Sequence, residues 1–283
     1  MPLIQESDYI PPLFFRSGHL QTIYPSLLRN VKGIEYTRER IMTPDEDFID
    51  LDWSNIGSEQ LAIVLHGFEG SSTQAYVQGM VRALNKRRID ALAMNLRGCS
   101  GEPNNLKRSY HSGSTEDLET VISHILKSSR YNDIFLVGFS LGGNLILKYL
   151  GEKQSPLLDS VKKAAVISVP CDLTSTSFKL MRLSNRLYLI RFMRMLKNKL
   201  RLKSQIRGFD FISELNQLRL LSTFKDFDNL YTAPHHGFKN AEDYWQQSSS
   251  LSYLDKIKIP TYFINAKNDP FLTPHCFPYN LLN

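Results

Sequence analysis

Short runs of consecutive apolar residues alternate along this chain with longer segments in which apolar residues recur every three or four positions. The short runs are rich in β-branched residues and predict buried strands, whereas the longer segments predict amphipathic helices. Strands that alternate with helices form a parallel sheet with helices on both of its faces. The predicted fold class is therefore α/β, with a mostly parallel, twisted sheet. The predicted strands are residues 61–65, 90–95, 133–137, 163–169 and 260–265.

Two further helices and one hairpin are predicted from local signals. Helices are predicted over residues 73–86 and 115–128, the second with Thr115 as its N-cap and acidic residues in its first turn. Residues 34–41 and 48–53 alternate between apolar and polar positions on either side of a Pro-Asp-Glu sequence. This alternation predicts an antiparallel hairpin ahead of the parallel part of the sheet.

A long segment separates the last two predicted strands. Ninety residues lie between position 169 and position 260, far more than one crossover connection needs. We therefore predict a helical cap over the carboxyl edge of the sheet, where ligands bind in open α/β sheets. The chain is predicted to be one domain, residues 1–283, made of an N-terminal arm (1–32), a core (33–170 and 251–283) and the cap (171–250).

Composition narrows the class of protein. Of 283 residues, 42% are hydrophobic and 22% are charged, which is ordinary for a globular protein with a sizeable core. Cys99, Cys171 and Cys276 are too few and too scattered for a disulfide framework or a zinc site, and they favour a reducing compartment. The N-terminal residues lack a signal-peptide pattern, and no apolar run is as long as a membrane span. These features predict a cytoplasmic protein without a metal or nucleotide cofactor.

Positive charge is concentrated in one segment. The formal net charge is +6, and ten basic residues but no acidic residue lie between Phe178 and Arg207. The favoured interpretation is the solvated face of one or two amphipathic helices that pack over a core. The alternative is weak contact of this basic part of the cap, residues 178–207, with an anionic membrane surface or a negatively charged substrate. No nucleic-acid-binding motif accompanies the charge, so nucleic acid is not a predicted partner. The basic residues are Lys179, Arg182, Arg186, Arg191, Arg194, Lys197, Lys199, Arg201, Lys203 and Arg207.

A Gly-x-Ser-x-Gly sequence, centred on Ser140, follows the third predicted strand and precedes a segment with helical spacing. This strand–turn–helix context is that of a nucleophile elbow. The serine of such a turn is held at strained φ and ψ, and the residues two positions away, here Gly138 and Gly142, must be small so that strand and helix can approach each other. The helix N-terminus then presents free N–H groups and a positive dipole to the serine oxygen. Ser140 is therefore the predicted nucleophile.

Acyl transfer at a serine also needs an oxyanion hole, a base and a group that orients the base. The N–H of Leu141 is one predicted oxyanion donor, and the N–H of Phe68, in the glycine-rich loop after the first parallel strand, is the other. His66 in the same loop is interpreted as a structural residue rather than as the base. Asp269, which follows the last predicted strand, is the predicted acid. Asp172 is the alternative acid, but it is interpreted mainly as a turn or helix-cap residue.

The sequence offers no histidine where this chemistry needs one. After a nucleophile elbow the triad order is serine, acid, histidine, and the histidine is expected on a loop after one further strand. Only fourteen residues follow Asp269, and His275 is too close to it for an intervening strand. His235 and His236 lie in the predicted cap without the neighbours of a metal site. The remaining histidines that we considered, His19, His111 and His124, precede Ser140.

Further motifs accompany the elbow at residues 15–25, 43–53, 66–71, 95–101, 110–113, 138–144, 169–173 and 268–271. Together these segments resemble the YheT/EMB8-type α/β-hydrolases, the group that includes the eukaryotic ABHD1 and ABHD3 proteins. The resemblance runs from Pro11 to the last residue. It implies an α/β-hydrolase fold, an activity like that of esterases, Ser140 as nucleophile and Asp269 as acid.

The resemblance also implies features that this chain is expected to lack. Family members carry the catalytic histidine in a Gly-Gly-His motif further downstream of the aspartate, followed by a terminal helix. We therefore expect the histidine of a Ser140–Asp269–His triad to lie beyond residue 283, together with the last strand and the closing helix. Without its base a serine hydrolase loses on the order of a millionfold in kcat, so little activity is expected of the 283-residue chain itself.

The predicted function is hydrolysis of a carboxylic ester, an acyl or lipid ester, as a small-molecule substrate. The apolar residues of the cap favour an acyl chain over a sugar or a peptide. Two alternatives stay open: an acyltransferase or thioesterase that uses the same site, and a non-catalytic binding protein that has lost the base. The sequence indicates no oligomeric state.

Overall fold

The structure, a computed structural model, describes residues 9–152, 156–206 and 212–279. Its strands are β1 Thr37–Met42, β2 Phe48–Ser54, β3 Gln60–Leu65, β4 Asp90–Met94, β5 Asp133–Phe139, β6 Val161–Ile167 and β7 Thr261–Ile264. In the described residues they form one sheet in the order β1-β2-β4-β3-β5-β6-β7. β1 and β2 form an antiparallel hairpin, β2 is antiparallel to β4, and the other neighbours are parallel.

Helices flank this sheet and fill the long connection between β6 and β7. The described helices are α1 Gly18–Leu28, α2 Ala75–Lys86, α3 Thr115–Lys127, α4 Leu141–Glu152, α5 Leu173–Leu180, α6 Arg186–Lys203, α7 Ile212–Gln217, α8 Phe224–Phe227, α9 Ala233–His236 and α10 Ala241–Ser248. None of the helices in the described ranges combines the length and the hydropathy that a membrane crossing requires.

The α/β fold class is confirmed, and each of the five strands predicted for the parallel part is present with ends that differ by at most two residues. The prediction of Thr115 as an N-cap is wrong, because Ser114 occupies that position and Thr115 is the first helical residue. The Ser114 hydroxyl accepts a hydrogen bond from the N–H of His111 at 2.9 Å instead of capping the helix. A tight turn ahead of α3 therefore sets where this helix begins.

The central strands are apolar on both faces because both faces are covered. Leu61 to Leu65 of β3 are 0% exposed, and α4, directly after β5, is buried over nearly its whole length. This helix packs against α3, β5, β6 and the short helical segment Leu251–Lys256. The turn that joins β5 to α4 is consequently held between two buried elements.

Helices α5 to α10 lie between β6 and β7 and have an apolar core of their own. Phe68, in the loop after β3, packs against this core and against the core of the sheet. The two cores therefore meet at the loop that was predicted to supply an oxyanion donor. The boundaries of arm, core and cap stay a prediction. The buried apolar residues of the inserted helices include Leu189, Met193, Leu196, Leu200, Phe227, Tyr231 and Trp245.

The basic residues of the segment 178–207 do not share one environment. Lys179, Lys199 and Lys203 turn inward and donate hydrogen bonds to polar groups beneath the helices. Lys203 is 1% exposed and donates to Asn104 Oδ1 at 2.7 Å, and burial lowers its pKa to about 7. Arg207 lies outside the described residues. Six others are exposed or half-exposed: Arg182, Arg186, Arg191, Arg194, Lys197 and Arg201.

A buried arginine joins the loop after β4 to the β1–β2 turn and to α3. Arg97 is 5% exposed, and its guanidinium donates to both carboxylate oxygens of Asp117 (2.6 and 2.9 Å), to Asp45 at 2.7 Å and to Asp47 at 3.2 Å. Burial acts to lower the pKa of Arg97, but Asp117 and Asp45 raise it overall. Asp117 and Asp47 are almost fully buried, and Arg97 pairs directly with each of them.

Candidate active site

Ser140 lies at the sharp turn between β5 and α4. Its φ is +51°, in the left-handed region that a serine rarely adopts, and its N–H donates to Ile167 O at 2.8 Å. A Cβ atom at Gly142 would lie 2.6 Å from His66 O, and one at Gly138 would lie 2.7 Å from the backbone of Gly142. No side chain fits at either position. The strand–turn–helix geometry predicted around Ser140 is therefore present, for the steric reason that predicted it.

One cavity brings Ser140, Leu141 and Phe68 together. Its volume is about 390 Å³, within the range of pockets that hold small organic molecules. The loop after β3 approaches the serine closely, since a Cβ atom at Gly67 would lie 3.2 Å from Ser140 Cβ. Apolar side chains from the inserted helices and from the segment after β7 form much of the wall: Leu180, Phe192, Leu196, Phe224, Phe227, Trp245 and Phe271.

Phe68 and Leu141 both line this cavity, and each carries a backbone N–H. Leu141 is the first residue of α4, and the N–H groups of a first helical turn have no partner within the helix. Among the described residues, neither N–H donates a hydrogen bond to another protein group. Both donors are thus free to bind an anion beside Ser140.

His66 holds the loop that carries Phe68. Its Nδ1 donates to Gly67 O at 2.7 Å, and its Nε2 accepts a hydrogen bond from the N–H of Leu96 at 3.1 Å. Burial lowers the pKa of His66 to about 4, so the ring is neutral at pH 7. Because both ring nitrogens are engaged in backbone contacts, this side chain has neither a lone pair nor a proton available for Ser140.

The same loop is fixed from the other side by a residue of helix α6. Lys199 Nζ donates to Glu69 Oε1 at 2.6 Å, and Tyr110 Oη donates to the same oxygen at 2.8 Å. Glu69 has a φ of +50° and its N–H donates to Tyr110 Oη at 2.9 Å. Lys199 and the Glu69 carboxylate are both largely buried. The residue that follows Phe68 is therefore pinned by an ion pair with the inserted helices.

Asp269 lies after β7, beside the cavity. Its Oδ1 accepts a hydrogen bond from the N–H of Phe271 at 2.9 Å. Burial raises the pKa of Asp269, and hydrogen bonds from Phe271 and from the Ser168 hydroxyl oppose this rise. Ser168 lines the cavity that contains Ser140. The structure thus places the predicted acid one side chain away from the cavity wall, with no histidine paired to it among the described residues.

Asp172 and His275 pair with each other instead. Asp172 is the N-cap of α5, where its side chain accepts a hydrogen bond from the N–H of Ser175 at 3.1 Å, as its interpretation as a helix cap predicted. Its other carboxylate oxygen lies 3.1 Å from His275 Nδ1, and the His275 side chain is 69% exposed. In the described part of the chain, no hydrogen bond joins the ring of His275 or of any other histidine to Ser140.

The other histidines have local partners. His111 lines the cavity and its Nδ1 accepts a hydrogen bond from the N–H of Gly113 at 3.1 Å. Burial holds the pKa of His111 well below its ordinary value, and its ring packs 4.5 Å from that of His236. The remaining rings contact Tyr188, Glu39 and Tyr231 O, through His19, His124 and His235 respectively.

Asp228 is a cavity residue that sequence reasoning did not find. It begins a π-helical turn, Asp228–Thr232, and accepts hydrogen bonds from Thr232 Oγ1 and Trp245 Nε1, each at 2.7 Å. Burial raises the pKa of Asp228 to about 7. The only sequence signal is an acidic residue inside an aromatic run, which is equally typical of a solvated helix face.

Replacing Asp228 by Asn should remove a pH dependence of stability. Because the folded-state pKa of about 7 lies above the ordinary value near 4, the folded protein keeps a proton that the unfolded chain loses between about pH 4 and about pH 7. Stability should fall across this window by up to about 1.4 kcal/mol per pH unit, and Asp228→Asn should lack this component. Urea denaturation through the window measures it, with the exposed Asp255→Asn as control. Equal slopes in the wild type and Asp228→Asn would contradict a proton held on Asp228.

In the ranges that the structure describes, no three His, Cys, Asp or Glu side chains are grouped so that they could hold a metal ion. The chemical groups that converge on the cavity are a strained serine, two free N–H donors and a nearby carboxylate. They suit nucleophilic attack by serine on a carbonyl carbon whose oxygen becomes negatively charged.

Both the sequence and the fold of this chain are similar to those of known proteins. Residues 62–276 match the family described as "alpha/beta hydrolase fold". The chain is 35% identical over 277 residues to the putative esterase YheT of Escherichia coli (strain K12), covering 96% of this chain and 81% of that protein. It is 27% identical to the human phospholipase ABHD3, covering 98% and 69%. The esterase Pf2001 of Pyrococcus furiosus has a similar structure, with a TM-score of 0.58 and 18% identity over 90% of this chain and 83% of that chain.

Proposed function

The chain belongs to the alpha/beta hydrolase fold family, and we propose that it is a serine hydrolase of carboxylic esters. The observation that carries this proposal is the convergence of Ser140, at a φ of +51°, with the free N–H groups of Phe68 and Leu141 in one cavity. Relatives named as esterase and phospholipase support the reaction class.

In the proposed reaction Ser140 Oγ attacks the ester carbonyl carbon. The oxygen of the tetrahedral intermediate takes its negative charge between the N–H groups of Phe68 and Leu141, whose positions are set before the substrate arrives. The alcohol leaves, and water then hydrolyses the acyl-enzyme. The N-terminus of α4 adds its positive dipole at the same place.

The proposed base is a histidine that is not among residues 1–283, oriented by Asp269. Two observations support this assignment: no histidine ring in the described ranges hydrogen-bonds to Ser140, and the Asp269 carboxylate lies behind Ser168 at the cavity wall. Such a ring would have to lie between Asp269 and Ser140, where its second nitrogen could take the serine proton.

The proposed substrate is an ester with an apolar acyl chain. The lining residues from α6 and α8 are mostly aliphatic and aromatic, although Arg191 and Lys199 of α6 also line the cavity. An acyl chain that enters this space removes apolar surface from water and leaves the ester carbonyl at the serine. A sugar or a peptide would leave its polar groups without partners against these walls.

Hydrolysis of p-nitrophenyl esters of increasing acyl length tests this proposal. Two proteins are compared: this chain, and an extended protein in which a family-type C-terminal segment with the Gly-Gly-His motif follows residue 283. The extended protein should turn over esters with a preference for acyl chains longer than acetyl, and this chain should show little turnover. Product that appears only when an alcohol or a thiol is added would indicate an acyltransferase instead, and failure of both proteins to form an acyl-enzyme would reject ester hydrolysis.

Lys199 is expected to act as a positioning residue in this reaction. Lys199→Met removes the ion pair that pins Glu69, next to Phe68, and a small displacement of an oxyanion donor can cost about a hundredfold in kcat. In the extended protein we expect that loss in kcat with KM for a short ester little changed. Lys197→Met, on the half-exposed side of the same helix, is the matched control. A rise in KM at constant kcat would show that Lys199 only shapes the cavity wall.

A further inference from the structure

The N-terminal arm presents an apolar surface that the fold leaves uncovered. Helix α1 has no buried residue, and Leu13 and Phe14, just before it, are 73% and 82% exposed. Single exposed apolar residues are common on soluble proteins, but a contiguous group of this kind marks an interaction site. The exposed apolar residues of the arm between residues 13 and 28 are Leu13, Phe14, Leu20, Ile23, Tyr24, Leu27 and Leu28.

Helix α6 continues this surface. The ring of His19 in α1 stacks on Tyr188 of α6 with centroids 5.7 Å apart, and Arg191 Nη1 donates to Ser26 Oγ at 3.4 Å. On the outer side of α6 and the turn before it, Leu183 and Leu187 are 84% and 78% exposed. Arm and helix therefore present their uncovered apolar side chains on adjoining elements. We call the two together, residues 13–29 and 182–201, the rim surface.

The charge of the rim surface has one sign. No acidic residue occurs between Tyr9 and Ile34 or between Phe178 and Ile206. The inward lysines of the second segment are already paired within the protein, so the outward positive charge comes from the others. The outward basic residues are Arg16, Arg29, Arg182, Arg186, Arg191, Arg194, Lys197 and Arg201. Apolar side chains interspersed with uncompensated cations are complementary to anionic headgroups over hydrocarbon.

The rim surface borders the cavity that contains Ser140. Thr22, Ile23 and Ser26 of α1 and Tyr188 and Arg191 of α6 line that cavity. A lipid surface that covers the rim would therefore lie at the cavity entrance. An acyl chain could then pass from the bilayer into the apolar cavity with little exposure to water.

We propose that the rim surface binds the face of a bilayer that contains anionic phospholipid. This inference rests on the proposed function only where it names the bilayer as the source of the ester substrate. Binding of the rim surface to lipid does not involve Ser140. The apolar residues of the arm and of α6 enter the headgroup region, and the outward arginines and lysines hold the protein there by charge. Neither the buried lysines nor the catalytic groups take part.

Co-sedimentation of the 283-residue chain with vesicles tests the proposal. The probes are vesicles of phosphatidylcholine alone and of phosphatidylcholine mixed with phosphatidylglycerol. We expect roughly tenfold or stronger binding to the anionic vesicles, weakened by added salt. The double variants Leu183→Ser/Leu187→Ser and Arg186→Glu/Arg194→Glu should each lose most of this binding. Leu220→Ser, which alters an exposed apolar residue outside the rim surface, is the matched control.

Three outcomes would overturn the proposal. The first is equal binding to both kinds of vesicle, and the second is no binding to either. The third is self-association that the Leu183→Ser/Leu187→Ser variant abolishes, because the rim surface would then be a contact between two copies of the chain. Hydrolysis of soluble p-nitrophenyl acetate by the extended protein should not change in either double variant. Ser140→Ala should bind vesicles like the unaltered chain, so failure of lipid binding and failure of ester hydrolysis are separate results.

Discussion

Ser140→Ala in the extended protein should lower kcat for a p-nitrophenyl ester by about a millionfold, leaving only the residual acceleration over water of about 10³–10⁴ that the oxyanion hole and binding supply. The reason is that the proposed reaction needs an oxygen nucleophile at one place, the turn between β5 and α4, and alanine removes only that oxygen. The fold should persist, because the backbone around residue 140 is held by the hydrogen bond to Ile167 O and by two buried elements. Stopped assays with purified protein measure turnover, and labelling by a fluorophosphonate, which phosphonylates a reactive serine with loss of fluoride, measures the reactivity of residue 140.

Ser112→Ala is the matched control for this prediction. Ser112 lines the same cavity, but its hydroxyl accepts a hydrogen bond from Tyr244 Oη at 2.8 Å and its backbone has ordinary geometry. We expect it to retain turnover within about tenfold and to leave labelling intact. Ser140-dependent turnover by the 283-residue chain itself would show that the base is within this chain, and His275→Ala would then be the first variant to make.

Arg97→Met should lower the free energy of unfolding by about 3–5 kcal/mol, a large part of the total stability of a typical domain. Methionine keeps an unbranched apolar stem but removes the guanidinium, so the buried carboxylates of Asp117 and Asp47 lose the cation that pairs with both of them. The main cost is therefore the desolvation of carboxylate charge that has lost its direct partner. Urea denaturation followed by circular dichroism at neutral pH measures the change.

Lys225→Met provides the comparison for Arg97→Met. Lys225 pairs with Glu242 at 2.6 Å, but both side chains are about half exposed, so the water around them screens the pair. Its loss should cost less than about 1 kcal/mol. Equal effects of the two substitutions would mean that the carboxylates around Arg97 are relieved in another way, for example by taking up protons.

The periodicity of the sequence predicted the sheet well because the sheet is covered on both faces. A strand such as β3, which is 0% exposed from Leu61 to Leu65, must be apolar at every position, and few other structures allow so short and unbroken a run. The turn at Ser140 was predictable for a related reason. Gly138 is required by close contact with Gly142, four residues along the chain, and Gly142 by close contact with the end of β3 and His66, so the small residues of the motif mark a turn packed tightly against the neighbouring strand.

Contacts between distant segments were beyond the reach of sequence reasoning. Lys199 and Lys203 belong to a run of basic residues, and nothing in that run tells which of them meet Glu69 and Asn104 rather than water. The environment of Asp228 is set by Trp245, which lies on another helix. The packing of the inserted helices on the sheet determines where these side chains lie. That packing depends on helix and sheet surfaces that form only when the whole chain has folded.

The ion pair between Lys199 and Glu69 couples the position of α6 at the cavity entrance to the position of the loop that carries Phe68. Lys199 lies on α6, which forms one wall of the cavity, and Glu69 follows Phe68, whose N–H is the proposed oxyanion donor. Any outward movement of α6 that widens the cavity entrance lengthens the Lys199–Glu69 ion pair and makes the loop after β3 less rigid. The conformation with a widened entrance would therefore hold the Phe68 N–H least firmly in place for an oxyanion. The proposed donor would regain its position only when α6 closes over the bound acyl chain.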